Sequence, residues 1–152
     1  MIKIVLYTIP LAAGLVSGLL SSAGLGPWYK NLQKPLWMPP ASIFGPVWTC
    51  LYILMGFTLT RIWQSEDGAL KRNALLFFTI QLILNFFWSI IFFRWQNIGL
   101  ACIEIVFTWI CIACMIITVY KIDRTAALVQ LPYLAWVSFA SILTFTLYRL
   151  NA

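Results

Sequence analysis

The stretch NALLFFTIQLILNFFWSIIFF, residues 73–93, carries no charged side chain and ends directly before Arg94. A helix needs about 20 predominantly apolar residues to cross the hydrocarbon core of a bilayer, and this stretch has that length. It shows no regular alternation of apolar and polar residues that would indicate a strand. Because unpaired backbone groups are not tolerated in lipid, the stretch is predicted to be a membrane-spanning helix.

Four more charge-poor stretches have the same character. Residues 4–29, 35–60 and 125–148 carry no charge, and residues 95–120 carry only Glu104. Short polar connections separate most of these stretches, as expected for neighbouring helices in one bundle. The sequence therefore predicts an all-α integral membrane protein built from five transmembrane helices. The predicted single domain, residues 1–152, has spans placed to within about two to four residues at 4–23, 43–62, 74–93, 98–120 and 126–148.

The composition excludes the ordinary soluble classes of protein. The chain of 152 residues is 62% hydrophobic and 9% charged, whereas a soluble domain carries about 25% charged residues. Its net charge of +6 comes from ten Lys and Arg that lie in small groups at the ends of apolar runs. A nucleic-acid-binding protein gathers such charges on one face, so no nucleic acid is expected as a partner. The expected partner of the outer surface is the lipid bilayer.

The basic residues also predict an orientation in the membrane. Six of the ten lie on the N-terminal side of the predicted spans and four on the other side. This favours a cytoplasmic N-terminus in a bacterial cell membrane, while an outer-membrane location stays open for a Gram-negative host. The first span is expected to be retained, because it has no clear signal-peptide cleavage site. Its Gly14 and Gly18 have the spacing of a close helix contact, either within this chain or with a second copy.

The sequence lacks the usual groups of hydrolytic and metal chemistry. It contains no His, and its four Cys lie inside apolar segments. Cys111 and Cys114 have redox or metal-ligand spacing, but no second pair and no flanking acid or His accompanies them, so all four Cys are interpreted as small, buried helix residues. No metal site and no required cofactor are therefore predicted. Glu104 is interpreted as a structural group, because the spans offer no further acid or base for a proton relay.

One connection, residues 24–42, is much longer than the others. It contains four prolines and several large apolar side chains. The prolines restrict the backbone, so a structured loop is predicted rather than a flexible linker. Two interpretations of this loop stay open: a lid over one end of the bundle, or an interfacial segment whose Trp and Tyr lie among lipid headgroups.

Aromatic residues inside the spans suggest a pocket without requiring one. Asn85 stands one turn before Trp88, and Tyr133 stands three residues before Trp136, so each pair shares a helix face. Two interpretations explain these residues equally well. They pack helices together, or they form a cavity with flat aromatic walls and a few polar anchors. Pro132 is expected to kink the fifth helix. Each tryptophan inside a span brings an indole N–H that needs an acceptor, and these residues are Trp48, Trp88, Trp109 and Trp136.

Three groups of motifs give the chain a family resemblance. Residues 34–40 read KPLWMPP and are followed by FGPVW at residues 44–48. Residues 84–93 read LNFFWSIIFF, and residues 131–140 read LPYLAWVSFA. In this order and spacing, the motifs closely resemble the tryptophan-rich sensory protein/translocator protein family, once called peripheral benzodiazepine receptors. The resemblance runs through nearly the whole chain.

The resemblance implies a five-helix bundle, often dimeric, whose first loop closes a pocket between the helices. Members of the family bind porphyrins such as protoporphyrin IX and haem, and also isoquinoline and benzodiazepine drugs. We therefore expect a porphyrin as the ligand, such drugs as further ligands and a homodimer as the assembly. From the matched motifs and the aromatic pairs together, the expected ligand-binding residues are Trp28, Tyr29, Trp37, Trp48, Tyr52, Asn85, Trp88, Tyr133, Trp136 and Ala140.

Cholesterol, which animal members also bind, is not expected as a ligand here. The family commonly has Leu-Asn after the position of Ala140, whereas this chain has Leu143 and Thr144. Tyr148 and Arg149 are adjacent, so the strict sterol-recognition pattern, which separates these residue types, fails. The short terminal extensions resemble a bacterial member rather than an animal one.

Three functions are carried forward from the sequence. The first is porphyrin binding that serves tetrapyrrole sensing, trafficking or a stress response. The second is degradation of protoporphyrin IX in light and oxygen, for which Trp48 and Trp136 are the candidate catalytic residues, since no acid–base pair, nucleophile or metal site is present. The third is small-molecule transport, which five spans without intramembrane charge runs favour least.

Overall fold

The computed structural model describes residues 2–152, and within them the only regular secondary structure is helical. Two short helical elements lie in the first connection: a 3-10 turn, Ser22–Gly24, and α2, Pro27–Asn31. A π-helical turn, Ile90–Arg94, directly follows the helix that ends at Ser89. A further short helix, Arg124–Leu128, precedes the last helix of the chain. The α-helices are α1 (Ile2–Ser21), α2, α3 (Ala41–Gln64), α4 (Ala69–Ser89), α5 (Ile98–Tyr120), α6 (Arg124–Leu128) and α7 (Leu131–Asn151).

Five of the described segments are long and apolar enough to cross a membrane, which confirms the predicted number and order of spans. The long helices form a ring in the order α3, α1, α4, α5 and α7. Consecutive members of this ring pack closely, but α3 and α7, which would close it, have far fewer close backbone approaches. The outer face of the ring carries many exposed large apolar side chains, as expected for a surface that contacts lipid. The protein is therefore a multi-pass α-helical membrane protein.

The fifth predicted helix, residues 126–148, needs one correction. The structure divides this region into α6 and α7, and Pro132 lies in the first turn of α7 instead of kinking a continuous helix. The break follows from local chemistry, because proline at residue 132 has no N–H to donate to the Leu128 carbonyl, so the backbone hydrogen-bond pattern is interrupted there. The side chain of Asp123 caps the start of α6 by accepting a hydrogen bond from the Ala126 N–H at 3.0 Å.

The long connection is structured, as predicted, and it packs against the π-helical turn. Trp28 meets Phe92 edge to face, with ring centroids 6.0 Å apart. Gly24 permits this approach, because a Cβ atom built at that residue would lie 1.9 Å from the carbonyl oxygen of Phe93. Any larger residue there would displace backbone, so glycine is required for the loop to seat on the bundle.

The end of the bundle that carries this loop is called here the lid end, and the opposite one the distal end. The lid end comprises residues 22–40, the π-helical turn and the C-terminus of α7. The densest apolar core lies toward the distal end, where residues such as Met55, Ile112 and Met115 are fully buried. The lid end instead contains a cavity.

Candidate ligand-binding site

A cavity of about 700 Å³ opens between the lid-end halves of α1, α3, α4 and α7. Its volume falls within the roughly 300–1,000 Å³ of typical small-molecule sites. Tyr29 and Met38 of the long connection line it from the lid end. Aromatic side chains from three further elements, α3, α4 with its π-helical turn, and α7, form much of the remaining wall. The long connection therefore covers one end of this cavity, as the lid interpretation of the sequence expects.

Glycines on α1 and α3 help to create the space. A Cβ atom added at Gly18 or at Gly45 would meet nothing within 4 Å, and both residues line the cavity. Gly14 behaves differently, because a Cβ atom there would lie 2.1 Å from the Tyr52 ring. The two glycines of the first helix thus have separate roles: Gly14 allows α1 to pack on α3 of the same chain, and Gly18 leaves cavity volume.

The structure brings most of the sequence-predicted residues to one cavity but leaves three outside its lining. Trp28 packs behind the wall on Phe92, and Trp37 is 48% exposed and contacts Phe139 at a centroid distance of 6.0 Å. Tyr133 is fully buried behind the cavity. The predicted residues that line the cavity are Tyr29, Trp48, Tyr52, Asn85, Trp88, Trp136 and Ala140.

A chain of hydrogen bonds fixes the polar part of the wall. The Tyr52 hydroxyl donates to Asn85 Oδ1 at 2.7 Å, and Asn85 Nδ2 donates to the Tyr133 hydroxyl at 3.3 Å. The Tyr133 hydroxyl in turn donates to Gln81 Oε1 at 2.8 Å. These bonds satisfy groups that would be costly to bury alone, and they orient Tyr52 and Asn85 toward the cavity. Sequence reasoning missed Gln81, although it lies one helical turn before Asn85 on the same face of α4.

Two indole N–H groups beside the cavity have no acceptor within residues 2–152. They belong to Trp88 and Trp136, and both nitrogens are buried. Trp109, by contrast, donates to Ser138 Oγ at 2.8 Å and ties α5 to α7. A buried donor without an acceptor costs free energy, so these two N–H groups favour an occupant that brings hydrogen-bond acceptors.

Pairs of stacked rings make the walls flat and stiff. Trp48 stacks on Tyr52 with centroids 5.7 Å apart, and Trp88 stacks on Phe92 at 5.2 Å. The π-helical turn contributes two consecutive side chains, Phe92 and Phe93, to the cavity. Such wide turns often occur at functional sites, since they reposition side chains relative to a regular helix.

The mouth of the cavity carries positive charge and a phenol. Lys34 Nζ lies 4.4 Å from the centre of the Tyr29 ring, a cation–π contact at the lid. Burial raises the pKa of the Tyr29 phenol above its usual value, so the group stays neutral. Arg94 Nη1 donates to the Leu20 carbonyl at 3.4 Å at the same end. The lid end is therefore electropositive.

A clamp at the end of α7 holds the lid, and sequence reasoning missed it. The Asn151 side chain accepts a hydrogen bond from the Gln33 N–H at 2.9 Å and donates to the Gln33 carbonyl at 3.0 Å. It also donates to the Leu147 carbonyl of its own helix at 2.8 Å. One side-chain amide thus pairs with both backbone groups of a residue 118 positions away, which no local pattern indicates.

Glu104 lies apart from the cavity lining. Its Oε1 accepts from the Thr108 hydroxyl at 2.8 Å, while Oε2 is buried without a partner in the described chain.

Residues 2–152 contain no group of three or more potential His, Cys, Asp or Glu metal ligands. All four cysteines are free, and the prediction that they are buried is wrong: Cys50 is exposed on the outer face of α3, and the other three are half-buried. The cavity can therefore bind and orient a flat apolar molecule, but it holds no acid–base pair for hydrolysis.

Fold and site together define a multi-pass helical membrane protein with an aromatic, lid-covered cavity. Residues 6–149 match the TspO/MBR family. The chain therefore belongs to the TspO/MBR family, which confirms the resemblance of its motifs.

Relatives across domains of life are similar along most of their length. The chain is 39% identical to the tryptophan-rich protein TspO of Archaeoglobus fulgidus, over 93% of this chain and 92% of that protein. It is 37% identical to the protein of the same name in Chlorobaculum tepidum, over 93% and 90% of the two chains. It is also 35% identical to the human translocator protein, over 82% of this chain and 75% of that protein.

Proposed function

We propose that this protein binds porphyrins, such as protoporphyrin IX or haem, in the cavity and so serves tetrapyrrole sensing, trafficking or a stress response. One observation carries the proposal: a cavity of about 700 Å³ whose walls are the rings of Trp48, Trp88 and Trp136. Flat aromatic walls suit a flat aromatic ligand, because offset stacking stabilises it beyond simple burial of area.

The polar groups of the site suit the same ligand class. The indole N–H groups of Trp88 and Trp136 need acceptors, which a porphyrin offers through its carboxylates and, in the metal-free macrocycle, through its unprotonated ring nitrogens. Asn85 is already held by Tyr52 and Tyr133, so its first role is to keep the wall in place. The two indole N–H groups, and not Asn85, are therefore the donors that we assign to hydrogen bonds with the ligand.

Charge at the lid end supports an anionic edge on the ligand. Lys34 lies against Tyr29, which lines the cavity, and Arg94 lies at the same end of the bundle. A macrocycle that enters with its propionates toward the lid would bring carboxylates near these cations while its apolar edge meets the helices. Haem and protoporphyrin IX both have this polarity.

The names of relatives agree with a role in sensing or moving a small molecule. One relative, from Cereibacter sphaeroides, is named a tryptophan-rich sensory protein, and the human one is named a translocator protein. For this chain we propose residence in a bacterial cell membrane with a cytoplasmic N-terminus. The homodimer, the isoquinoline and benzodiazepine ligands and the exclusion of cholesterol stay predictions.

The direct test is a titration of the detergent-solubilised protein with protoporphyrin IX, followed by quenching of tryptophan emission and corrected for inner-filter absorption. We expect saturable quenching at micromolar concentrations. The variant Trp48→Leu/Trp136→Leu should lose about tenfold or more in affinity, because two ring–ring contacts of about 0.5–1.5 kcal/mol each are removed.

The matched control is Trp63→Leu/Trp95→Leu, which removes the same number of indoles from exposed sites outside the cavity lining. Its affinity should equal that of the parent protein. Linear quenching that is the same in all three proteins would mean partition into detergent and would refute the assignment of the cavity.

A second candidate function rests on the position of Trp48 and Trp136, both of which face the cavity. A porphyrin bound against them would act as a photosensitiser, and dissolved oxygen would be the oxidant in its degradation. Illumination of the complex should then yield a new bilin-like absorption band that disappears in Trp136→Leu. Bleaching identical to that of free porphyrin would leave binding as the sole function.

A further inference from the structure

A second depression, on the outer face of the bundle, lies between α3 and α7. This groove has a volume of about 540 Å³. Its lining is apolar and includes Pro46 and Cys50 of α3 and Ala135 and Phe139 of α7. Because α3 and α7 are the neighbouring helices with the loosest backbone packing in the ring, the groove marks its weakest seam.

One side chain separates this groove from the cavity inside. Trp136 lines both spaces, so its indole is the partition between the lipid-facing surface and the interior. It is held by ring contacts, at centroid distances of 5.7 Å to Phe44 and 5.4 Å to Phe139. Its N–H has no acceptor in the described chain, so no hydrogen bond fixes the indole in its present rotamer.

Within residues 2–152, the direct hydrogen bonds across the seam lie at one end, while Tyr52 and Tyr133 are joined only through Asn85 of α4. Toward the distal end, Gln130 Nε2 donates to the Leu54 carbonyl at 2.9 Å and to Thr58 Oγ1 at 2.7 Å. Thr58 Oγ1 in turn donates to the Ala126 carbonyl at 2.9 Å. These bonds tie α3 to the start of the α6–α7 segment, and the Arg61–Asp123 ion pair continues the tie outward.

Toward the lid end, the contacts across the seam change in kind. Between the helices themselves the structure shows ring contacts, such as that of Trp48 with Tyr133 at 6.2 Å and that of Phe44 with Trp136. The Asn151–Gln33 clamp joins α7 to the loop before α3 and not to α3 itself. Apolar ring contacts in a membrane have no water-driven gain to hold them closed, because lipid chains solvate the separated rings equally well.

We propose that the lid-end half of the α3–α7 seam is a lateral portal, through which a flat apolar ligand dissolved in the bilayer reaches the cavity when Trp136 swings aside. The polar ties around Gln130 act as the hinge that keeps the helices together during this opening. The proposal rests on the proposed function, since it names the route by which the ligand reaches that site.

The portal makes a kinetic prediction that separates it from a change in the binding site. Filling the groove raises the barrier for passage in both directions, so association and dissociation must slow by the same factor while Kd stays constant. Ala135→Trp adds bulk at an exposed groove position outside the cavity lining. We expect both rates to fall about tenfold, equivalent to about 1.4 kcal/mol on the barrier.

The measurement is stopped-flow tryptophan quenching with the full chain in phosphatidylcholine nanodiscs and protoporphyrin IX pre-equilibrated with phosphatidylcholine vesicles. The matched control is Ile110→Trp, which places the same indole at an exposed position on the outer face of α5, a helix that does not line the groove. Its rates should match those of the parent protein.

A chemical version of the test needs no added bulk during folding. Cys50 is exposed and lines the groove, so a bulky maleimide attached there should slow both rates in the parent protein. The same treatment of Cys50→Ala reports any effect of the other three cysteines. The difference between the two proteins isolates the groove.

Three results would overturn the portal. Unchanged rates in both Ala135→Trp and the labelled protein would exclude the seam as the route. Faster association in Asn151→Ala, with Ala135→Trp unaffected, would place the route under the lid instead. A loss of affinity with faster dissociation would make Ala135 part of the binding surface. Absence of binding in the parent protein would refute the proposed function itself. The other three results all require binding in the parent protein, so the two kinds of failure can be distinguished.

Discussion

The two halves of this bundle are built from similar residues but filled in opposite ways. Toward the distal end, side chains such as Met55, Ile62 and Val119 are fully buried. Toward the lid end, Gly18 and Gly45 leave open space, and the buried indoles of Trp88 and Trp136 have no acceptor within residues 2–152. The distal half supplies stability through packing, and the lid half gives up packing to keep a cavity.

Polar groups show a weaker form of this division, because the distal half also contains a buried atom without a partner in the described chain, Gln130 Oε1. In the distal half, Gln130 and Thr58 join α3 to the α6–α7 segment by hydrogen bonds. In the lid half, the indole N–H groups of Trp88 and Trp136 have no acceptor in the described part of the chain, and both residues line the cavity. Unsatisfied buried donors are a cost to folding, and functional sites are where proteins tolerate such costs. The comparison therefore indicates that stability and binding occupy separate regions, and it can be tested region by region.

The largest expected effect comes from making the same substitution, glycine to alanine, once in each half. A Cβ atom at Gly56 would lie 2.8 Å from Tyr7 Cα, so Gly56→Ala must push α1 away from α3. We expect a loss of about 1–3 kcal/mol in the free energy of unfolding, as for other overpacked sites. Gly18→Ala meets nothing within 4 Å and should leave stability unchanged or slightly raised. Unfolding in a detergent titration measures both, and equal losses would break the comparison.

The next effect tests the boundary between the halves. Tyr133→Phe removes the hydroxyl that links Asn85 and Gln81 and leaves the Gln81 amide without a partner in the described chain. We expect a loss of about 1–2 kcal/mol in the free energy of unfolding. Tyr148→Phe, at an exposed position, is the matched control and should change nothing. A Tyr133→Phe protein as stable as the parent would show that this network orients the wall without stabilising the fold.

Sequence reasoning succeeded where the membrane acts on each residue locally. Apart from Glu104, the predicted spans carry almost no charge, so the five spans could be predicted from charge gaps alone. The aromatic positions on α3, α4 and α7 could be predicted from motifs and helical spacing. The break before α7 was missed, because the sequence favours a kink at Pro132 as much as a new helix start.

The rest of the site depends on contacts between residues far apart in the chain. Asn151 pairs with the backbone of Gln33, and Trp136 separates two spaces that involve different helices. The indole N–H groups of Trp88 and Trp136 are without a partner because no acceptor of the described residues lies within hydrogen-bond distance. Such properties follow from the packed arrangement and leave no local sequence signal.

A smaller effect concerns the clamp on the lid. Asn151→Ala removes both hydrogen bonds to Gln33, while Asn151→Asp keeps an acceptor and loses the donors. We expect local opening of the loop to become easier by about 1 kcal/mol in the alanine variant. Trypsin should therefore cleave after Lys30 about fivefold faster, in line with the larger open population. Lys34 precedes proline and is not a cleavage site.

Cleavage at the distal end provides the internal control for the clamp. Lys71 and Arg72 lie near the start of α4, far from Asn151 in the fold, so their cleavage rates should not change. Asn151→Asp should fall between the parent and the alanine variant if the acceptor contributes. Faster cleavage at both ends would indicate global destabilisation and not release of the lid.

The smallest effect is electrostatic and belongs to the distal end alone. A hydrogen bond from the Ala126 N–H, together with Arg61, lowers the pKa of Asp123 below its usual value near 4. A lowered pKa in the folded state means that the stabilisation is present above the unfolded-state value and is lost as pH falls through the folded-state value. Because Arg61 is half exposed, we expect less than about 1 kcal/mol.

Asp123→Asn isolates this contribution, since the amide oxygen can still cap α6 while the ion pair is removed. Between pH 7 and acidic pH, the free energy of unfolding should fall less in the variant than in the parent protein. At pH 7, high salt should reduce the difference in the free energy of unfolding between the two proteins. Glu66→Gln, in the exposed connection between α3 and α4, removes a carboxylate nearby and should follow the parent. If Asp123→Asn and the parent instead lose stability in parallel, the tie between α3 and α6 is made by Gln130 and Thr58 without help from charge, and the hinge of the seam is wholly a hydrogen-bonded one.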